Sequence, residues 1–376
     1  MLTDHLFIVL GVEHYNTLGL IRSLGEAGIN PIYIAIKGKA KLASTSKYVS
    51  DCYFVDNSDE GYELLMDKFG NESDPSKLPF LFTIDDKTQE LLDRKYDELE
   101  GKFIFFNAGK QYGISEYMDK YNILKLAEEC GFPILKSCVV DRGSIPSDIE
   151  YPVITKGLTP AKGGWKSDVY ICESEDELKS AYEKIKSDSI LIQKYIDKKN
   201  EYVLEGFSIN SGNEIMVSIE STYNYLIKGY YSPYSTTRSF RNDDMQSKLE
   251  AMFKKIGFEG LFEVEFLIDQ DDIMYFGEIN FRNSGWSYAS TVAGMNLPYL
   301  WAKSMADGSV PKDAHVYGDE FTCMLEPVDY QKRVVERGMN VDDWVIQMLH
   351  CKCHYYYDPN DLEPFFEMVR NNEKLR

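Results

Sequence analysis

The start of the chain alternates between short apolar runs and an amphipathic stretch. Residues 6–10 form a continuous apolar run that ends at Gly11, and apolar residues with helical spacing follow as far as Gly28. A second apolar run begins at Ile32. This order of strand, helix and strand, with strands apolar on both faces, is typical of a parallel sheet covered by helices. We therefore predict an α/β domain with a parallel sheet over residues 1–113.

Beyond this region strands predominate and helices are few. A helical pattern over residues 119–130 opens the next segment, and short strands follow, so we predict an α+β subdomain over residues 114–205. Alternating strands and a helix over residues 245–256 predict a second α+β subdomain over residues 206–310. The pattern weakens over residues 311–376, which we treat as a C-terminal extension.

Composition and charge narrow the classes of function. The formal net charge of the 376 residues is −20 at pH 7, which argues against a nucleic-acid surface because phosphate contacts need clustered Lys and Arg. An anionic ligand must therefore be held by local cations, helix N-termini or bound metal. No apolar run approaches the roughly 20 residues that cross a bilayer. Residues 1–10 resemble a buried strand rather than a signal peptide, so we expect a cytoplasmic protein that binds neither membranes nor nucleic acid.

The seven cysteines do not suggest a disulfide framework, because their number is odd and they are dispersed along a long chain. Cys351 and Cys353 lie with His350 and His354 in the one cluster that has metal-ligand chemistry. Their spacing differs from the two-residue separation usual in zinc sites. The alternation of the cluster also fits a strand that continues into residues 355–357, and we favour the strand.

The sequence lacks common nucleotide-binding motifs. The turn after the first strand, residues 11–19, has no G-x-G-x-x-G pattern and carries Glu13 where a pyrophosphate would need small residues. Neither a G-x-x-x-x-G-K-[ST] phosphate loop nor the kinase pair of H-R-D and D-F-G occurs in the chain. A Rossmann oxidoreductase is therefore disfavoured.

A predicted hairpin in the third segment gathers oxygen ligands on one face. Glu263 and Glu265 alternate along its first strand and point the same way, and Glu278 and Asn280 return on the second strand. Glu265, Glu278 and Asn280 supply two carboxylates and an amide oxygen, which suit Mg²⁺ bound to nucleotide phosphates. Arg282 continues the alternation and is a candidate to neutralise a phosphoryl group or an oxyanion. Taken alone, the pattern also fits an amphipathic hairpin with a solvated acidic face.

Several separated motifs make the chain resemble the ATP-grasp superfamily, which includes D-alanine–D-alanine ligase, biotin carboxylase and carbamoyl phosphate synthetase. The resemblance extends over residues 5–310. It implies an ATP site built, in chain order, from Lys120 after Asp119, Lys156, Gly163 and Gly164 of a glycine-rich loop, the hinge residues Gln193, Lys194, Tyr195 and Ile196, and the ribose-binding acid Glu201. It also implies that the metal ligands are Glu265, Glu278 and Asn280. Gln193 departs from the acid of many members, but its carbonyl oxygen can still accept from the adenine amino group.

The resemblance implies a carboxylate–amine ligase. In such an enzyme a substrate carboxylate attacks the γ-phosphate of Mg·ATP to give an acyl phosphate, and an amine then displaces phosphate. This chemistry depends on positioning and charge neutralisation, so we assign no Ser or Cys nucleophile. The implied cofactors are ATP and two Mg²⁺ ions, for which Mn²⁺ can substitute. The overall pattern is most similar to ligases that act on amino acids, including the D-aspartate ligase type.

Candidate catalytic cations besides Arg282 lie in the segment 228–241, which we predict to be a polar, aromatic-rich loop between strands. Lys228, Arg238 and Arg241 in this segment are candidates to hold a substrate carboxylate or the γ-phosphate. The alternative is a solvated surface loop.

Candidate substrate-binding residues lie in two further places. Ser284 and Ser287 follow the predicted metal strand directly and are expected to line the acceptor pocket. The first domain adds polar residues at the carboxyl ends of its strands, where α/β sheets tend to bind ligands: Glu13, His14, Asn16, Asp85 and Asp86. Ordinary loop roles are the alternative for these.

Two other functions stay open at this point. The first is a non-catalytic or regulatory ATP-binding protein, which the intact metal ligands and Arg282 disfavour. The second is a carboxylase or a kinase that uses the same cleft, although no Met-Lys-Met biotin-attachment signature occurs in the chain. The expected partners are a small carboxylate and an amine, and a homodimer would be common for this superfamily.

Overall fold

The computed structural model describes residues 2–38, 40–72, 74–158, 168–227 and 231–371, and every structural statement below refers to these residues. Three β-sheets organise them. A five-stranded sheet comes first in the sequence, a four-stranded sheet follows, and a seven-stranded sheet contains the remaining strands.

The first sheet is parallel, with strand order β3-β2-β1-β4-β5. Its strands are β1 (Phe7–Val12), β2 (Ile32–Ile36), β3 (Asp51–Val55), β4 (Phe80–Thr83) and β5 (Ile104–Phe105). The helices of this part are α1 (Tyr15–Glu26), α2 (Ser58–Phe69), α3 (Asp86–Arg94), α4 (Tyr96–Leu99) and α5 (Ser115–Met118). Since β1 and β4 are neighbours, the turns that follow them lie side by side at the carboxyl edge of the sheet.

The second sheet is antiparallel, with strand order β6-β9-β7-β8. Its strands are β6 (Ser137–Asp141), β7 (Val153–Lys156), β8 (Ile171–Cys172) and β9 (Ser189–Lys194). Two helices accompany it, α6 (Lys120–Glu129) and α7 (Glu175–Tyr182). Asp119 caps α6 by accepting hydrogen bonds from the backbone N–H groups of Tyr121 and Asn122, at 2.9 and 3.1 Å, and this cap fixes where Lys120 leaves the helix.

The third sheet has strand order β14-β13-β10-β11-β12-β15-β16. Its strands are β10 (Asn200–Ile209), β11 (Glu214–Tyr223), β12 (Tyr234–Ser239), β13 (Gly260–Ile268), β14 (Met274–Asn280), β15 (Phe321–Met324) and β16 (Cys353–His354). The remaining helices are α8 (Asp243–Ile256), α9 (Tyr288–Val292), α10 (Leu297–Asp307), α11 (Glu326–Asp329), α12 (Val341–His350) and α13 (Glu363–Arg370). Short 3₁₀ turns occur at Leu2–Asp4, Ala43–Thr45 and Pro75–Lys77, and a π-helical turn at Tyr330–Val335.

One continuous core joins the first sheet to the third. At its centre Trp301 of α10 is fully buried, and its ring meets Phe80, Phe82 and Phe106 edge-on at centroid distances of 5.8, 5.2 and 4.9 Å. Helix α10 also packs on β10 and β13. The carboxyl edge of the first sheet is therefore held at a fixed position beside the strands that carry the candidate metal ligands.

The structure confirms the predicted parallel α/β unit followed by further α/β sheets. It also corrects three details. Segment 228–241 is not a loop throughout, because β12 occupies its second half. The boundary predicted between residues 205 and 206 falls inside β10, and the extension 311–376 adds β15 and β16 to the same sheet.

The cluster at residues 350–354 is only partly a strand. His350 ends α12, β16 contains Cys353 and His354 alone, and residues 355–357 continue outside the sheet. The seven cysteines are free thiols, and the described residues contain no group of three or more His, Cys, Asp or Glu side chains arranged to hold a metal ion. No helix in the described ranges is long and apolar enough to cross a membrane.

Candidate active site

The hairpin of β13 and β14 carries the predicted metal ligands on one face. Glu265 pairs with Glu278, and Glu263 pairs with Asn280, across the two antiparallel strands. Directly paired residues point to the same face of a sheet, so four oxygen-bearing side chains lie together. Asn280 donates its Nδ2 to Oε1 of Glu263 at 2.8 Å and to Oε1 of Glu265 at 2.9 Å.

The electrostatics of this group suit a cation. Burial raises the pKa of Glu265 well above its ordinary value, and the charges of Glu278 and Glu263 raise it further. Glu265 and Glu278 offer two carboxylates to a metal ion. Asn280 turns its Nδ2 to Glu265 and its Oδ1 to Arg282, so its amide would have to turn over to become a third oxygen ligand. Hard oxygen donors of this kind fit Mg²⁺.

Two lysines reach the same place from the second sheet and its helix. Lys120, the first residue of α6, forms an ion pair with Glu278, and its charge is the main reason that the pKa of Glu278 lies below its ordinary value. Lys156, the last residue of β7, donates to Oε1 of Gln193 at 2.8 Å. Burial lowers the pKa of Lys156 to about 8, and the charge of Lys120 is the second cause.

The hinge residues follow from β9. Gln193 is buried; besides accepting from Lys156, it donates to Oγ of Ser137 at 2.9 Å. Its carbonyl oxygen is thus already engaged, which differs from the expected role as an adenine acceptor. Lys194 ends β9, and Tyr195 and Ile196 follow it half-buried. Glu201 lies at the start of β10 and forms an ion pair with Lys198.

Arg282 connects the hairpin of β13 and β14 to the first domain. Its Nε donates to Oδ1 of Asp86 at 2.6 Å, and Nη2 donates to Oδ1 of Asn280 at 3.1 Å. Nη1 reaches the carbonyl oxygen of Asn283 at 3.4 Å. Burial is the largest single influence on the pKa of Arg282 and lowers it, but the charge and hydrogen bond of Asp86 together with the charges of Glu263 and Glu265 outweigh burial and raise the pKa. The guanidinium is therefore permanently charged and held in one orientation.

Three of the predicted first-domain residues have structural partners instead of an open position. Glu13 accepts from the backbone N–H groups of Leu42 and Ser44, at 3.0 and 3.2 Å. Asp85 caps α3 through Thr88. Asn16 is bonded to Asn283 and to the carbonyl oxygen of Ile84, so it ties the first domain to the segment after β14. Asp86, by contrast, reaches the site through Arg282.

His14 lies beside these residues and is exposed. It precedes α1, and its Nδ1 accepts from the backbone N–H of Asn16 at 3.3 Å. Desolvation of the imidazole by the surrounding protein lowers the pKa of His14 to about 4, and the charge of Arg282 lowers it further. The imidazole is thus neutral at pH 7, and with Nδ1 as acceptor the proton is on Nε2.

The two predicted serines, Ser284 and Ser287, are buried. Ser284 accepts from the backbone N–H of Trp286 at 3.0 Å and donates its hydroxyl to Glu205. Ser287 stands at the start of α9, with 3% of its surface exposed. Of the two, only Ser284 contacts an acid of the site.

Two predicted catalytic arginines lie elsewhere, contrary to expectation. Thr237 pairs with Ser221, which is on the Glu265 face of the sheet, so the next residue, Arg238, points to the opposite face. There it pairs with Glu220 at 2.5 Å. Arg241 stacks on Tyr317 at 4.6 Å in a separate surface cavity of about 250 Å³. The predicted Gly163, Gly164 and Lys228 lie outside the described residues.

Sequence reasoning missed Glu205 and did not select Glu263 for the site. Glu205 follows Glu201 by four residues on one strand, so alternation alone placed both on one face. The missing information was the register, which sets Glu205 directly opposite Glu263. Burial, followed by the charge of Glu263, raises the pKa of Glu205 well above its ordinary value.

Comparisons with known proteins bear on the family and the fold. Residues 114–310 match the family described as "Carbamoyl-phosphate synthase L chain, ATP binding domain". The fold is similar to L-amino acid ligase from Bacillus licheniformis, with a TM-score of 0.65, 11% identity, and coverage of 85% of this chain and 80% of that one.

Two further solved structures have similar folds. N5-carboxyaminoimidazole synthetase from Staphylococcus aureus, complexed with ADP, has a TM-score of 0.65 at 16% identity and covers 88% of this chain and 85% of its own. Biotin carboxylase from Campylobacter jejuni, in a β-γ-ATP complex, has a TM-score of 0.62 at 16% identity, with coverage of 84% and 74%. At such identities the likeness establishes the fold. The chain belongs to the family of the carbamoyl-phosphate synthase L chain ATP-binding domain, within the ATP-grasp superfamily.

Proposed function

We propose that this protein is an ATP-dependent carboxylate–amine ligase that works through an acyl phosphate, with an amino acid as one substrate. The observation that carries the proposal is the convergence of cations and oxygen ligands from three separate parts of the chain: Lys120, Lys156, Glu265, Glu278, Asn280 and Arg282. Phosphoryl transfer depends on such positioned charges and needs no nucleophilic side chain.

Glu265, Glu278 and Asn280 are the proposed Mg²⁺ ligands. Glu265 is a carboxylate held beside other carboxylates, and a divalent cation would relieve that repulsion. Bound Mg²⁺ would neutralise the charge of the nucleotide phosphates. We propose two Mg²⁺ ions, as the resemblance to the ATP-grasp superfamily implies. We expect that Mn²⁺ can replace them.

The chain's own cations have separate tasks in the proposed reaction. Lys120 would exchange Glu278 for a phosphate oxygen when nucleotide binds, and Lys156 would neutralise a second phosphate oxygen. Arg282 uses three of its five N–H groups on Asp86, Asn280 and Asn283, which leaves two for a substrate carboxylate. Since Asp86 fixes the guanidinium, the carboxylate would be held at one angle to the γ-phosphate.

The bonds change in two steps. A carboxylate oxygen attacks the γ-phosphorus, the bond from that phosphorus to the ADP oxygen breaks, and ADP leaves. The amine nitrogen then attacks the acyl carbon, and the bond from that carbon to the phosphate oxygen breaks. Phosphate leaves with the bonding pair, and the amine loses its proton to give the neutral amide.

Hydroxylamine trapping tests this proposal. The protein is incubated with Mg·ATP, hydroxylamine and pools of amino acids and other carboxylates, and both ADP and acyl hydroxamate are measured. We expect one pool to give the two products in equal amounts. Glu278→Gln should abolish both, because it removes a metal ligand and leaves Lys120 without its ion pair.

A matched variant separates this effect from a general loss of charge. Glu129 forms a surface ion pair with Lys255 at 3.1 Å, so Glu129→Gln removes an equivalent carboxylate outside the site. This variant should keep full hydroxamate formation. If the wild type binds Mg·ATP but gives neither product with any pool, the ligase proposal is contradicted.

A further inference from the structure

Two carboxylates are buried side by side next to the proposed metal ligands. Glu205 and Glu263 pair in register on β10 and β13, and their exposed fractions are 2% and 5%. Two cations of the site, Lys120 and Arg282, form their ion pairs with other carboxylates. Within the described ranges, neither Glu205 nor Glu263 forms an ion pair with a Lys, Arg or His.

Hydrogen bonds satisfy this pair only in part. Glu205 accepts from the hydroxyl of Ser284, and Oε1 of Glu263 accepts from Nδ2 of Asn280 at 2.8 Å. Oε2 of Glu263 is buried and accepts from no donor group of the described residues, and the carboxyl groups of Glu205 and Glu263 lie within hydrogen-bonding distance of each other. A buried carboxylate oxygen without a donor is costly, because the protein does not replace the water that it has lost.

Two other buried groups in this part of the molecule are also unsatisfied. Oδ1 of Asn283 has no partner among the described residues, and this residue is 2% exposed and directly precedes Ser284. The hydroxyl of Tyr355, at 1% exposure, has only the weakly bonding thiol of Cys323 beside it and no oxygen or nitrogen partner among the described residues. Burial, two neighbouring cysteines, Tyr15 and Glu205 together raise the pKa of Tyr355, so the phenol is neutral. Buried polar atoms are usually bonded, so this concentration of free oxygens indicates a ligand that supplies donors.

The ligand would also meet aromatic rings. Trp286 contacts Tyr355 and Tyr223 edge-on, at centroid distances of 5.3 and 6.1 Å. The charges of Glu265 and Glu263 act on Tyr223, which places this ring on the acidic face as well. Carboxylates, neutral oxygens and aromatic rings together are the surroundings that hold an organic cation.

We propose that Glu205 and Glu263, with Asn283 and Tyr355, form the subsite that receives the amine substrate as its ammonium ion. An ammonium group carries one positive charge and up to three N–H donors, which match the buried acidic pair and the free oxygens around it. The subsite adjoins Asn280, so the ammonium ion is held beside the proposed metal ligands, and it passes one proton to the carboxylate of Glu205 before its nitrogen attacks the acyl carbon. This inference rests on the proposed ligase function and assigns its second substrate to a definite set of residues.

A partition experiment tests the subsite. Hydroxylamine is uncharged at neutral pH and needs no ammonium subsite, so it reports acyl phosphate formation. The carboxylate that gives hydroxamate is supplied with a panel of ethylamine, ethylenediamine, glycinamide and the common L-amino acids, and the ratio of amide to hydroxamate is measured. We expect Glu205→Gln to lower this ratio by about tenfold or more, since one charge-assisted hydrogen bond is lost.

Matched variants make the result specific. Glu220 is also a buried carboxylate of the same sheet, but it lies on the opposite face with Tyr202 and Arg238, so Glu220→Gln should leave the ratio unchanged. Tyr355→Phe removes only the free hydroxyl and should lower the ratio by a smaller factor. Thermal unfolding checks that each variant is folded.

Three outcomes would overturn the subsite. An unchanged ratio in both Glu205→Gln and Tyr355→Phe is the first. The second is an equal fall of amide and hydroxamate, which would place Glu205 in the first half-reaction. The third is a K⁺ requirement for hydroxamate formation that disappears in Glu205→Gln, which would make the pair an alkali-metal site. Absence of hydroxamate from the wild type would instead contradict the ligase function itself.

Discussion

At the scale of single residues, Lys156 shows how burial acts on one positive charge. It forms no ion pair among the described residues, and its hydrogen bond goes to the neutral carbonyl oxygen of Gln193. Burial and the nearby charge of Lys120 therefore lower the pKa of Lys156 to about 8. A phosphate would supply the negative charge that this position lacks, and binding would raise the pKa again.

This predicts a pH dependence of nucleotide affinity. Only the protonated lysine attracts phosphate strongly, so the association constant of Mg·ATP should fall as pH rises through about 8. Lys156→Arg should keep high affinity across the same range, because an arginine does not lose its proton there. Isothermal titration of both proteins on either side of that pH measures the difference. Equal pH profiles for the two proteins would contradict this role.

His14 predicts a pH dependence of stability. Its pKa is about 4 in the folded protein and near its ordinary value of 6.5 in the unfolded chain. Between these values the unfolded chain binds a proton that the folded protein does not, so stability is complete above the upper value and falls as pH drops towards the lower one. His14→Asn keeps an acceptor for the N–H of Asn16 but does not titrate. Urea unfolding at pH 7 and at pH 5 should show a smaller loss of stability for this variant than for the wild type.

At the scale of elements, the N-terminus of helix α6 positions a candidate site residue. Asp119 caps the helix, and the residue that follows is Lys120, whose ion pair with Glu278 crosses to the third sheet. The cap thus sets the direction of a phosphate-binding candidate. Asp119→Ala should lower the free energy of unfolding by about 1 kcal/mol and weaken Mg·ATP binding at the same time. Asp119→Asn keeps a capping oxygen and should restore both quantities, which denaturant unfolding and titration can check. Loss of stability with unchanged nucleotide affinity would show that Lys120 does not depend on the cap.

Elements with a clear pattern of apolar residues could be predicted from the sequence, and elements without such a pattern could not. The strands over residues 7–12 and 32–36 are uniformly apolar, so their extent is visible in the sequence. Helix α8 ends at Gly257, which has a positive φ of 75°, so a glycine marks the end of this helix. Strand β12 was missed because it reads Tyr-Ser-Thr-Thr-Arg-Ser, with small polar residues on its buried side. It is a strand because β11 and β15 flank it, and β15 lies some eighty positions further along the chain.

The residues of the candidate site likewise fall into those that local sequence motifs identified and those that depend on contacts distant in the sequence. Motifs local in sequence identified Lys120, Lys156, Glu278 and Arg282, and the structure brings these four together. The contact of Arg282 with Asp86 joins residues 196 positions apart, and no local pattern encodes such a distance. Glu205 was invisible for a similar reason, since its partner is defined by strand register and not by spacing along the chain.

At the scale of the whole molecule, the C-terminal extension is anchored by one buried arginine. Arg22 of α1 has no exposed surface and donates to Oδ2 of Asp361 at 3.0 Å. It also donates to the carbonyl oxygens of Asp361 and Tyr356, at 2.9 and 3.0 Å. The helix that carries Arg22 therefore holds the segment 355–361 against the first domain, and Tyr355 of that segment lies against Trp286.

This arrangement predicts that a residue far from Lys120 and Lys156, the proposed phosphate-binding lysines, affects one substrate and not the other. Arg22→Met would leave Asp361 buried without its cation, so the free energy of unfolding should fall by roughly 3–5 kcal/mol. Arg94→Met, which breaks an exposed pair with Asp59 at 3.8 Å, should cost less than about 1 kcal/mol.

The kinetics of Arg22→Met distinguish an effect on the segment 355–361 from an effect on the proposed nucleotide site. In the folded Arg22→Met protein at low temperature, the segment 355–361 is loosened and no longer fixes Tyr355. Lys120, Lys156 and strands β13 and β14 keep their contacts. The KM for the amine should therefore rise severalfold while the KM for Mg·ATP stays near the wild-type value. Equal increases of both would mean that the extension stabilises the whole molecule without shaping the acceptor side. An unchanged KM for the amine would separate the extension from substrate binding altogether, and the role of Tyr355 in the amine subsite would then have to be given up.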